Sequence, residues 1–91
     1  MDLKELRNEI DKIDDELVKL FVRRMEIAAQ VAAYKKENNL PVFVPARESE
    51  KLADIAEKAG PEMADYAKSL YMLLFELSRA HQSKLIESSE V

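Results

Sequence analysis

Between Asp2 and Glu37 the sequence contains neither proline nor glycine, and its large apolar residues recur at alternating steps of three and four. Leu3, Leu6, Ile10, Ile13, Leu17 and Leu20 are followed by Ile27, Val31 and Tyr34. This is a heptad stripe, the pattern of a helix with one apolar seam. Its length constrains the fold more than any other feature. A helix of ~35 residues is ~50 Å long, whereas a compact globule of this size has a radius of gyration of only ~12 Å and is about 30 Å across. The first helix must therefore project beyond its own domain with its seam still apolar. The simplest cover is a second copy of the chain, so a dimer is expected in which the two long helices pack against each other.

The remaining breakpoints divide the chain into three helices. Asn38-Asn39-Leu40-Pro41 ends the first, since asparagine suits a helix C-terminus and proline cannot continue one. Pro45-Ala46 opens the second, with Pro45 suited to a helix's first turn; it is expected over about 46–59, with Leu52, Ile55, Ala56 and Ala59 as its buried side. Gly60-Pro61 interrupts the chain, and a third helix is expected over about 62–86, carrying Ala67, Leu70, Tyr71, Leu74, Phe75, Leu77 and Leu85 as apolar positions. The tail Glu87-Ser88-Ser89-Glu90-Val91 reads as frayed or as a linker remnant. The expected fold class is all-α: a single domain over 1–91, three helices per chain with a long first helix, paired as an intertwined homodimer.

Composition excludes several functions. The 91 residues contain no cysteine and one histidine, His81, so disulfides, thiol catalysis and Cys-based zinc sites are ruled out and no metal site is expected. A formal charge of −4 argues against nucleic acid. No apolar run approaches the ~20 residues that span a bilayer, and the acidic, amphipathic start is not a secretory signal. The expectation is a soluble cytoplasmic protein with no nucleic-acid or membrane partner. Any anion-binding site must be a local cationic cluster within an acidic chain.

The stripe has a fault at Arg24, where spacing from Leu17 and Leu20 calls for an apolar residue. An arginine there either snorkels to solvent or points into a wet, anion-holding cavity. Ala28, Val31, Ala32 and Lys35 share its face. The face thus reads cation, small, medium, small, cation, with the two cations ~16 Å apart along the axis. This is either a bed for a small dianion or a helix–helix contact that needs alanines, with cations at its rim. Arg7 lies ~25 Å from Arg24 along the axis. It reaches an equivalent pocket only on a partner chain, if the long helices pair antiparallel; otherwise it is a surface arginine pairing with Asp11. Ser78 and Gln82 lie one turn apart on the third helix, a spacing common on exposed faces. His81 lies about 100° off that face and reads as exposed and non-catalytic. Asp11, Asp14, Asp15 and Glu16 read as a solvated face, without the spacing of a calcium loop.

Taken in order, these motifs resemble a known family. Leu6-Arg7-Asn8-Glu9-Ile10-Asp11-Lys12-Ile13-Asp14, then Val22-Arg23-Arg24-Met25-Glu26-Ile27-Ala28 with Lys35 following, then Pro45-Ala46-Arg47-Glu48, then Ser78 and Gln82, are similar to the all-helical (AroQ-type) chorismate mutases. The resemblance covers roughly residues 3–85. It implies an intertwined dimer with two equivalent sites, each built from both chains. Arg24 would bind a substrate carboxylate, and Arg7 would help from the partner chain. Lys35 and Gln82 would donate hydrogen bonds to the ether oxygen. Glu48 would hold the ring hydroxyl, Arg47 would add positive charge near it, and Ser78 would support a carboxylate. Ala28, Val31 and Ala32 would form the pocket floor. One departure stands out: where many members carry an acidic residue three places before the arginine of the Arg-Glu pair, this chain has Val44, which removes a helix N-cap and a contact to the hydroxyl.

The implied chemistry accounts for the residue types. Chorismate is a dianion, and its conversion to prephenate is a concerted shift in which a carbon–oxygen bond breaks as a carbon–carbon bond forms. No proton moves, no nucleophile attacks, and no cofactor is required. Arginine forks hold the folded conformer by its carboxylates. A lysine and an amide at the ether oxygen stabilise the transition state more than the ground state. Two other readings remain: an isochorismate-pyruvate lyase on the same fold, and a non-catalytic helical dimerisation module in which Arg24 and Lys35 are ordinary surface cations.

Overall fold

A computed structural model of the chain describes residues 1–88. Three helices form: α1 over Leu3–Glu37, α2 over Pro45–Ala59 and α3 over Ala64–Ser88. The chain extends 54 × 27 × 14 Å with a radius of gyration of 16.4 Å, so α1 does project beyond what a compact globule would hold. Among the described residues no helix is long and apolar enough to cross a membrane.

The helix ends follow from local chemistry. Asp2 stands outside α1 as its N-cap, its carboxylate accepting the Glu5 N–H at 2.8 Å. At the other end Asn39 takes the left-handed conformation, φ 55°. The Leu40 N–H then reaches back to the Lys35 carbonyl at 2.8 Å and the Asn39 N–H to the Lys36 carbonyl at 3.3 Å. This is a Schellman motif with asparagine where glycine usually sits, and it turns the chain sharply toward α2. Val44 caps α2 without a side-chain hydrogen bond, as its lack of a polar atom requires. Gly60 ends α2 at φ 85°, a conformation that L side chains rarely adopt. The expected start of α3 at Glu62 is corrected to Ala64: Pro61 to Met63 first form a turn, in which the Met63 N–H bonds the Gly60 carbonyl at 3.2 Å. Its expected end at Ile86 is also extended, since Glu87 and Ser88 continue the helix. The rest of the expected frayed tail lies outside the described residues.

The third helix is the shared neighbour, packing against α1 on one side and α2 on the other. Its long path along both accounts for the buried apolar residues: Ala28 and Ala32 on α1, Ile55 on α2 and Phe75 on α3. This is a slight core for a chain of 91 residues. No large side chain among the described residues is fully buried. The heptad stripe is not part of this core. Leu3, Leu6, Ile10, Ile13, Leu17 and Leu20 stand between 46% and 63% exposed. A heptad seam drifts ~20° per repeat around a straight helix. By Ile27 and Tyr34 it has turned away from α3, leaving the neighbouring alanine face to make the contact.

Candidate active site

Between the C-terminal half of α1, the start of α2 and the middle of α3 lies a cleft of about 370 Å³. Each helix contributes a regularly spaced face. From α1 come Arg24, Val31 and Lys35; from α2, Arg47, Glu48 and Lys51, just after Val44; from α3, Phe75, Ser78, Arg79 and Gln82. The positions 44, 47, 48, 51 and 75, 78, 79, 82 each follow the i, i+3, i+4, i+7 pattern of one helical face. Five cationic side chains and one carboxylate therefore surround the opening, in a chain whose formal charge is −4. A larger cleft of about 600 Å³ lies beside Ala29, Ala32, Ala33 and Leu85. Its lining is almost wholly apolar, with Lys36 and Glu37 as its charged members. It offers an anion nothing, so size is a poor guide to the chemistry here.

Four of the five cationic groups have partners within the fold. Arg24 lies over two rings of α3, its guanidinium carbon 5.9 Å from the centre of Tyr71 and 5.8 Å from that of Phe75, a cation–π arrangement. The rings meet edge to face at 6.1 Å. Lys35 Nζ donates to the Val42 carbonyl at 3.0 Å, which the sharp turn after α1 brings within reach. An ammonium has three N–H groups, so further donors remain. Arg79 Nη1 donates to both oxygens of Glu48, and its guanidinium lies 4.6 Å from the centre of the Phe43 ring. Lys51 is drawn toward Asp54 at 3.3 Å.

The polar pair of α3 differs from its expectation. Ser78 and Gln82 are not on an exposed face: they are 8% and 7% exposed. Gln82 Nε2 donates to Ser78 Oγ at 3.1 Å, while Oε1 is buried with no hydrogen-bond partner among the described residues. A buried polar atom without a partner costs about 1–3 kcal/mol, and such atoms are rare enough to need a reason. Rotating the amide by half a turn exchanges its ends: Oε1 accepts from the Ser78 hydroxyl and the –NH₂ becomes the free group. In either orientation one end of Gln82 is anchored and the other is unsatisfied.

Of the residues singled out from sequence, Arg24, Val31, Lys35, Arg47, Glu48, Ser78 and Gln82 converge on the cleft. Ala28 and Ala32 do not line it. They are buried where α1 meets α3, so the alanine pair serves helix packing and Val31 is the member of the expected floor that faces the opening. Arg7 lies on the exposed part of α1, far from this cleft. His81 is half-buried rather than exposed, because α3 is flanked on two sides, and it does not line the cleft. Val42, Lys51, Phe75 and Arg79 also line the cleft but are not among the residues singled out from sequence; Lys51 and Phe75 lie one turn along the Arg47-Glu48 and Ser78-Gln82 faces, and Arg79 lies within the latter, one turn before Gln82.

A helical scaffold that gathers arginines and lysines around a buried amide defines a class: a binding site for a small, multiply charged anion. Comparison with known proteins gives the family. The chorismate mutase type II family matches residues 6–83, and the chain belongs to it. It is 46% identical over 61 residues to the T-protein of Haemophilus influenzae, covering 64% of this chain and 16% of that protein. It is 47% identical over 49 residues to a bifunctional chorismate mutase/prephenate dehydratase of Aquifex aeolicus, covering 54% of this chain and 14% of that one. A chorismate mutase of Methanocaldococcus jannaschii is 28% identical over 90 residues, covering 97% of this chain and 91% of that protein. The chain thus spans about one-sixth of the first two relatives and nearly the whole of the third. No solved structure matches the chain significantly.

Proposed function

We propose that residues 1–91 form one chorismate mutase domain, which rearranges chorismate to prephenate on the route to phenylalanine and tyrosine, in the cytoplasm and without a cofactor. One observation carries the reading: among the described residues, a single carboxylate and five cations line the cleft around a buried amide with one unsatisfied end. A dianion with a hydroxyl and an ether oxygen would use Arg24, Lys35, Arg47, Glu48 and Gln82 among these groups. Arg24 would bind a carboxylate, with Ser78 close by. Arg47 adds positive charge near Glu48, which would accept from the ring hydroxyl. Lys35 and the –NH₂ of Gln82, in its rotated orientation, would both donate to the ether oxygen as charge builds there. Donors fixed before the reaction cost no reorganisation when the bond breaks.

The functional unit in this reading is a homodimer, and each site is completed by Arg7 of the other chain. The exposed stripe supports this. Burying an apolar side chain of this size contributes about 1.5–3 kcal/mol, so half-exposed residues gain on the order of 1 kcal/mol each. Summed over Leu3 to Leu20 on two chains this is roughly 10 kcal/mol, comparable with the ~4–15 kcal/mol that association costs. The test is a spectroscopic assay of chorismate loss with the product identified. Wild type is expected to form prephenate. Arg24→Ala is expected to lose about 10²–10³ in kcat/KM. No turnover by wild type, or an undiminished Arg24→Ala enzyme, would reject the proposal; isochorismate run in parallel distinguishes a lyase.

A further inference from the structure

Arg79 has no counterpart among the groups needed to hold a dianion, yet it is the cleft cation most tightly engaged. It comes from α3, one residue beyond Ser78, and crosses to Glu48 in the first turn of α2. The Phe43 ring lies against its guanidinium at 4.6 Å, so the arginine is held by the connecting segment as it holds the carboxylate. Both side chains are about one-quarter to one-third exposed, at 31% for Arg79 and 23% for Glu48. This is too sheltered for a freely rotating surface pair.

The geometry of the pair is informative. A single nitrogen, Nη1, donates to both Glu48 oxygens. A carboxylate offers about four acceptor positions, so each oxygen keeps capacity for another donor while Arg79 remains in place. Among the described residues Glu48 is the only carboxylate lining the cleft, and without a fixed partner it would be drawn toward Arg47 or Lys51, both on its own helix face.

We infer that Arg79 is a positioning residue for hydroxyl recognition: it fixes the Glu48 carboxylate so that its free side accepts the ring hydroxyl of the substrate. The inference rests on the proposed mutase function. Arg79 itself touches no reacting atom.

The test compares chorismate with an analogue in which the ring hydroxyl is replaced by hydrogen. On chorismate, Arg79→Ala should raise KM about tenfold and leave kcat within about threefold. On the deoxy analogue, Arg79→Ala and wild type should be indistinguishable. Adding Arg79→Ala to Glu48→Ala should cost less than about twofold beyond Glu48→Ala, because the two act as one unit. Arg79→Lys, which keeps the charge without the planar guanidinium, should fall between wild type and Arg79→Ala. Equal losses on both substrates, or multiplying losses in the double variant, would overturn the inference and leave the mutase function standing. No turnover of chorismate by wild type would overturn both. Arg79→Gln, which retains a side chain over Phe43, carries the same predictions if Arg79→Ala does not fold.

Discussion

From Leu3 to Arg23 every residue of α1 is exposed, whereas from Arg24 to Lys35 the same helix packs into α3. The apolar content of the two halves does not explain the difference. The N-terminal half has the larger side chains, and the C-terminal half is held by Ala28 and Ala32. The stripe stays exposed even in the C-terminal half, at Ile27 and Tyr34. A single helix therefore carries two contact surfaces. The small-residue face lets the backbone of α3 approach closely and so places Arg24 and Lys35 against Ser78 and Gln82. The large-residue face stays exposed, with Leu17 and Leu20 beside Leu70, Tyr71 and Leu74 of α3 at its inner end, and the proposed second copy is the partner its pattern fits.

The largest expected effect comes from breaking the uncovered half. Ile13→Glu with Leu17→Glu should yield a monomer in sedimentation, because a carboxylate placed in an apolar interface has no partner there. A cost of about 4 kcal/mol raises the dissociation constant roughly 10³-fold. Activity should fall with dimer content if, as proposed, Arg7 of the partner completes each site. A double variant that stayed dimeric would show that another surface pairs the chains.

A mixing experiment sharpens the point. Arg7→Ala and Arg24→Ala chains, each nearly inactive, should recover about a quarter of wild-type activity when unfolded and refolded together in equal amounts. Half of the random dimers would then be mixed, and each mixed dimer would have one intact site. If Arg7 served its own chain, no site in any mixed dimer would be intact and the mixture would remain inactive.

The same contrast explains which parts of the molecule could be read from sequence. The three helices and their breaks at Asn38-Asn39 and Gly60 follow from periodicity and turn chemistry, which are local. The Arg24–Lys35 face is legible because both cations lie on one helix. Arg79 and Lys51 were not, since their roles depend on α2 and α3 meeting, and helical spacing within one segment does not report a neighbour. Ser78 and Gln82 read as a commonplace pair in the sequence for the same reason: their spacing is fixed by α3, but their burial is set by the helices on either side of it. Ala28 and Ala32 can be read either as a pocket floor or as a packing face; in the fold both are buried and neither lines the cleft, a placement set by α3.

Within the covered half, Lys35→Ala should lower kcat by about 10²–10³ with the dimer intact. Lys35 also secures the connecting segment through the Val42 carbonyl, so a smaller loss of thermal stability should accompany it. Near-normal turnover would leave Lys35 only this structural role.

The smallest effect, on α2, provides the control for the others. Asp54 accepts from Lys58 at 2.9 Å and from Lys51 at 3.3 Å. The hydrogen bond from Lys58 chiefly holds the Asp54 carboxyl below its ordinary value of 3.8, and Asp54 in turn raises Lys58 above its ordinary 10.5. A depressed carboxylate stabilises the fold above its unfolded pKa and loses that contribution as pH falls through the folded one; a raised lysine contributes below its unfolded pKa and loses it as pH rises through the folded one. The pair should therefore stabilise across the neutral range and fade at both extremes. Exposed pairs contribute little, so Asp54→Asn should lower the melting temperature only slightly at neutral pH and converge with wild type in strong acid. Because α2 makes no helix contact with α1, the shift should be the same in dilute and concentrated protein. The effect of substitutions in the uncovered half should instead change with concentration, and a concentration-dependent Asp54→Asn shift would place α2 in the dimer interface as well.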